Sequence, residues 1–98
     1  MVNAKQIRSD QVQDALQLGE SVAIKTLIKR RVIPKADDYD FDLNEAERQV
    51  VEGGVNYRFT GVLKSKCEDV RQAVSFIVND PFRGSNQVIN VTALKNCN

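Results

Sequence analysis

The chain holds few groups able to act chemically on a substrate. Cys67 and Cys97 are its only thiols, and no histidine occurs in its 98 residues. Without an imidazole, no side chain has an ordinary pKa suited to a general base near neutral pH. A zinc site begun by two thiolates would need carboxylates to complete it, against the metal's preference for nitrogen and sulfur. The cysteines are then either one disulfide or two free thiols. A disulfide would close a loop of about 30 residues and, in the chain-entropy picture, stabilise the fold by ~3–4 kcal/mol. Asp37, Asp38, Asp40 and Asp42 form a locally acidic run. It lacks the glycine and closing glutamate of an EF-hand loop, so it reads as a solvated strand edge. Gly53-Gly54 is a turn, not a phosphate-cradling loop. Asn90-Val91-Thr92 fits the N-glycosylation triplet but lies in an expected strand, and its use requires secretion. The expectation is a protein that is not an enzyme and that carries no metal or cofactor.

Composition agrees with an ordinary folded domain. Hydrophobic residues make up 42% and charged residues 28%, the profile of one globular unit spanning residues 1–98. A net charge of +1 gives no field that would favour nucleic acid or an anionic membrane. The short basic run Lys29-Arg30-Arg31 reads as the end of a helix, where cations offset the macrodipole. No apolar stretch approaches the ~20 residues of a membrane span. The opening "MVNAKQIRSD" has no apolar leader core. The chain is expected to be cytoplasmic, or a secreted mature form whose leader is replaced by Met1.

The elements follow from periodicity. Ser9-Asp10 reads as a helix start. Val12, Ala15, Leu16, Gly19, Val22, Ala23, Leu27 and Ile28 recur at three- and four-residue spacing, which predicts a helix over about 11–29 with one apolar stripe. Gly19 within that stripe implies close approach of a strand. Pro34 ends the helix at or before its own position. The period then becomes two. Phe41 and Leu43 open a strand running to about Val51. Val55, Tyr57, Phe59, Gly61 and Leu63 share one face of the next. A third strand lies near 71–78, with Val74, Phe76 and Val78 alternating with Ala73, Ser75 and Ile77. A turn-rich stretch, 79–86, precedes a last strand over 87–94. A short strand at 2–7 could pair at an edge. One helix followed by antiparallel strands is an α+β fold, the helix stripe lying on the apolar face of the sheet.

One hairpin stands out. In "RQVVEGGVNYRF", Val50 and Val51 sit at the lip of the Gly53-Gly54 turn, where a monomer would usually place polar residues. Leaving a valine unburied forfeits about 1.5–3 kcal/mol. Either the pair folds back to finish the core, or it is an apolar wedge held ready for another protein's groove.

Gln49-Val50-Val51-Glu52-Gly53 resembles the Gln-x-Val-x-Gly signature of the cystatins, inhibitors of papain-like cysteine proteases. The flanks Ala46-Glu47-Arg48 and Val55-Asn56-Tyr57, the helix start Gln11 to Gln17, and the run Ser75 to Gly84 are similar to cystatin elements in the family's order. Cys97 matches the terminal cysteine of secreted members. The resemblance covers residues 10–98. It implies an antiparallel sheet of four to five strands wrapped around one long helix. It also implies reversible competitive inhibition of cathepsin-type proteases by a wedge of three pieces. These are an amino-terminal segment near Ala4-Lys5, the first hairpin (Gln49, Val50, Val51, Glu52, Gly53) and the second hairpin (Pro81, Phe82). The implied partner is the protease alone, with no nucleic acid or membrane, and the chain is a monomer or a domain-swapped dimer. A Cys67–Cys97 disulfide goes with secretion, and free thiols with the cytoplasm. The chain departs from the family in three ways. It has no glycine before Gly19, Phe82 stands where tryptophan is usual, and one disulfide at most replaces two. A non-inhibitory cystatin-like interaction module is the alternative.

Overall fold

A computed structural model describes residues 9–35, 38–65 and 69–95. The candidate strand at 2–7, the sites Ala4 and Lys5, and both Cys67 and Cys97 lie outside the described residues. Five elements follow in chain order: helix α1 (Ser9–Lys29) and strands β1 (Tyr39–Val51), β2 (Gly54–Ser65), β3 (Arg71–Pro81) and β4 (Gln87–Ala93). The four described strands form one antiparallel sheet in the order β1-β2-β3-β4, each strand beside its sequence neighbours. The class is α+β, with α1 lying on one face of the sheet, mainly across β3 and β4. Among the described residues no helix is long and apolar enough to cross a membrane.

The helix has 21 residues, roughly 30 Å, an ordinary length rather than the long one expected. Among the described residues it runs from Ser9, at the expected Ser9-Asp10 start. Its other end is set well before Pro34. Arg31 takes a left-handed φ of 62°, the Val32 amide donates to the Leu27 carbonyl at 2.9 Å, and the Arg31 amide donates to Ile28 at 3.0 Å. These two bonds are the Schellman arrangement, which usually places glycine where Arg31 stands. A non-glycine residue there costs about 1–2 kcal/mol. Arg31→Gly should therefore stabilise the fold by about 1 kcal/mol in urea unfolding. The basic run does decorate this end, and the Arg30 guanidinium donates to the Val91 carbonyl of β4 at 2.9 Å.

The apolar stripe meets the sheet as its spacing requires. Val12, Ala15, Ala23 and Leu27 are buried with Phe59, Leu63, Val74, Phe76, Val78 and Val91 in one cluster. Phe76 sits at its centre, its ring centroid 5.2 Å from that of Phe41 and 5.5 Å from that of Phe59. Gly19 faces this ring. A Cβ on Gly19 would fall inside the van der Waals contact of Phe76 Cδ2 and Cε2, so the expected close approach is to β3.

Two irregularities change which side chains face the core. The β1–β2 register slips between Leu43 and Glu45, which inserts Asn44 as a bulge. Phe41 and Leu43 precede it on the face opposite Leu63 and Gly61, and Ala46 continues that face opposite Phe59. A second slip, between Ile77 and Val78, leaves Ile89 as the extra residue on β4. Strand β3 runs to Pro81 rather than ending near Val78, because its ladder with β2 continues to Gly54. The turn expected over 79–86 thus shortens to 82–86. Strand β4 ends at Ala93, one residue early.

The acidic run lies where it was expected. Asp38 is exposed, and Asp40 and Asp42 are exposed on β1, an outer one of the four described strands, while Asp37 lies outside the described residues. Glu20 of α1 is half-buried, and its carboxyl pKa is raised first by that burial and then by the Asp40 charge. A carboxyl whose pKa is raised on folding stabilises the fold only while protonated. Its contribution is lost as pH rises from the ordinary carboxyl value through the raised one. Glu20→Gln should accordingly raise the melting temperature at pH 7, and the gain should vanish in thermal scans near pH 3.

Candidate functional site

The first hairpin is built by a two-residue loop. Val51 pairs with Gly54, Val50 with Val55 and Gln49 with Asn56, leaving Glu52 and Gly53 as the central pair. Gly53 has φ +82° and Glu52 has no positive φ, the pattern of a type II turn rather than the primed turns usual in hairpins. The two glycines therefore serve different needs, and the pair is not the turn itself. Gly53 supplies the left-handed backbone, and a Cβ there would meet nothing within 4 Å. Gly54 belongs to β2, and a Cβ on it would lie 2.6 Å from the Asp80 carbonyl oxygen and 2.7 Å from Pro81 Cα.

That closeness joins the two hairpins. Gly54 pairs with Pro81, and one residue further on the Phe82 amide donates to the Gly53 carbonyl at 2.9 Å. Proline is tolerated as the last residue of β3, where the ladder ends. Two residues below each tip, Asn79 donates its side-chain amide to Asn56 Oδ1 at 2.8 Å. Both tips thus form one edge at one end of the sheet.

The expected site residues are distributed unequally along this edge. Val50 is 65% exposed and Phe82 73%, the two most exposed large apolar side chains among the described residues. Strand alternation sends Val51 to the other face from Val50, and Val51 is half-buried. Glu52 and Gly53 are exposed at the tip, and Pro81 is half-buried. Gln49 is exposed on the face away from α1, in a cross-strand row with Asn56, Asn79 and Gln87. Beside it, Glu47, Arg48, Gln49, Asn56, Arg58 and Ile77 line a shallow cavity. Arg58 donates to Glu47 at 2.6 Å, and this bond holds the Glu47 carboxyl below its ordinary pKa.

The sequence reading did not single out Asn56 and Asn79 as a tie between hairpins. Their signal is positional, since each stands two residues inside a tip and the ladder pairs them. The arrangement exposes apolar side chains on a backbone held by sheet pairing. Among the described residues no group of three His, Cys, Asp or Glu side chains could hold a metal. The chain matches no known family model and no curated protein closely enough to carry an assignment.

Proposed function

We propose that this chain is a cystatin-like, reversible competitive inhibitor of papain-like cysteine proteases that acts by occluding the cleft. The observation that carries the reading is the shared edge. Val50 and Phe82 are exposed at 65% and 73% on two tips joined by the Phe82–Gly53 hydrogen bond. Apolar groups so displayed lose stability in the free chain and regain it only in a partner's groove. The backbone beneath them is held by sheet pairing, so binding forfeits little conformational freedom. On this reading Gln49 to Gly53 form the central piece of the wedge and Pro81-Phe82 the second. Ala4-Lys5 would be the third, and the protease's catalytic cysteine would face the tip without a peptide bond in position to be cut. The secreted location and a Cys67–Cys97 disulfide belong to the same proposal.

Titration of papain with the intact chain tests it. Activity should fall in proportion to added chain, with competitive kinetics and recovery on dilution. No inhibition at micromolar concentrations would overturn the inhibitor reading. The chain lacks any glycine ahead of Gly19 to bend an amino-terminal segment into a cleft. That observation favours a second reading, a non-inhibitory cystatin-like module that uses the same edge to bind another protein.

A further inference from the structure

We propose that Asn90 is an acceptor for an N-linked oligosaccharide, displayed on the sheet face away from the helix. Asn90-Val91-Thr92 is the only Asn-x-Ser/Thr triplet in the chain, and its middle residue is not proline. The fold puts it on β4, which with β1 is one of the two outer strands among those described. Val91 is 7% exposed and turned into the core, so alternation turns both neighbours outward. Asn90 and Thr92 are exposed, and the Thr92 hydroxyl donates to Asn90 Oδ1 at 3.4 Å. A glycan at Asn90 displaces no core contact and breaks no ladder pairing.

The surface beside the acceptor suits a sugar. Asn90 pairs with Ile77, which pairs with Arg58, which pairs with Glu47. Ile77 is half-buried and adjoins the shallow cavity that Arg58, Glu47, Gln49 and Asn56 also line. A pyranose has one apolar face and a rim of hydroxyls. Ile77 offers a floor for the former, and the guanidinium and amides offer partners for the latter.

The step needs a lipid-linked oligosaccharide diphosphate as donor and a transferase to present it. The Asn90 amide nitrogen bonds to the anomeric carbon. The anomeric carbon–oxygen bond breaks, the lipid diphosphate leaves with the bonding pair, and one amide proton passes to a base. The inference rests on the secreted reading above for the compartment in which the chain meets that donor.

The test expresses the full chain behind a cleavable secretory leader in a eukaryotic host and weighs the secreted product. The expected product carries one glycan, removable by peptide N-glycanase with conversion of Asn90 to aspartate. Asn90→Gln and Thr92→Ala should abolish the modification, and Thr92→Ser should keep it. Secreted, folded chain with Asn90 unmodified would overturn the proposal, as would a glycan that survives Thr92→Ala. Papain titration of the same sample is read separately. A glycosylated chain that fails to inhibit refutes the inhibitor reading alone, and an unmodified inhibitor refutes only this one.

Discussion

Val50→Asp is expected to weaken inhibition of papain by roughly a hundredfold or more while leaving the chain folded. Seating Val50 in a protease cleft removes its apolar surface from water, a gain of about 1.5–3 kcal/mol. The carboxylate forfeits that gain and adds the cost of drying a charge, at least ~1–3 kcal/mol on mutational scales. The sum, about 2.5–6 kcal/mol, starts close to the ~2.8 kcal/mol that two decades in affinity represent and extends well beyond it. The free chain is affected far less, because a side chain 65% exposed has little burial to lose. Strand propensity at this edge accounts for about 1 kcal/mol at most. Progress curves against papain, paired with a urea melt, separate the two effects. Equal inhibition by wild type and variant would show that Val50 does not enter the cleft.

The second large effect concerns the core. Gly19→Ala should lower the melting temperature by about 10 °C, although alanine is the better helix former. Propensity favours the substitution by about 1 kcal/mol. Against that, the new methyl would overlap the Phe76 ring, which is fully buried and flanked by Phe41 and Phe59. Phe76 has no free direction, so α1 must lift from β3. Overpacking of this kind costs typically 1–3 kcal/mol and occasionally more. A cost at the top of that range, less the propensity gain, leaves a net loss of ~2 kcal/mol, which at roughly 5 °C per kcal/mol for a domain this size gives the stated shift. Phe76→Leu placed in the Gly19→Ala chain should recover part of it. Unchanged melting of the single variant would mean that α1 and β3 do not meet as described.

These positions also show which parts of the molecule the sequence could reveal. The stripe from Val12 to Ile28 has one period and one partner surface, so spacing alone predicted both the helix and the strand contact at Gly19. The alternation around Phe59 and Val74 was equally plain. The bulge at Asn44 was not, because a slipped register leaves no mark in a run of polar residues. Strand β3 read as ending near Val78 because Asn79, Asp80 and Pro81 are turn formers by composition. Only the cross-strand partners Gly54, Val55 and Asn56 make them a strand. The same long-range pairing explains the glycine pair. Chain-local reasoning saw two turn residues, whereas Gly54 answers to the backbone of β3, about 26 residues away in sequence.

The apolar lip of the first hairpin was visible from the outset, but its division was not. Val50 is displayed and Val51 is half-buried because adjacent strand residues face opposite ways. Which valine is displayed depends on the slip at Asn44, which shifts the parity of the rest of the strand. The resemblance of residues 49–53 to an inhibitory signature named the loop without saying which side of it is offered.

The hydrogen bond from Phe82 to Gly53 couples the lengths of two loops that are far apart along the chain. An extra residue between Glu52 and Gly54 would carry the acceptor carbonyl out of register with Phe82. A deletion among residues 82–86 would draw the donor away from the same carbonyl. Insertions and deletions in either loop are therefore constrained by the other, and viable descendants of this chain should change both loop lengths together or neither.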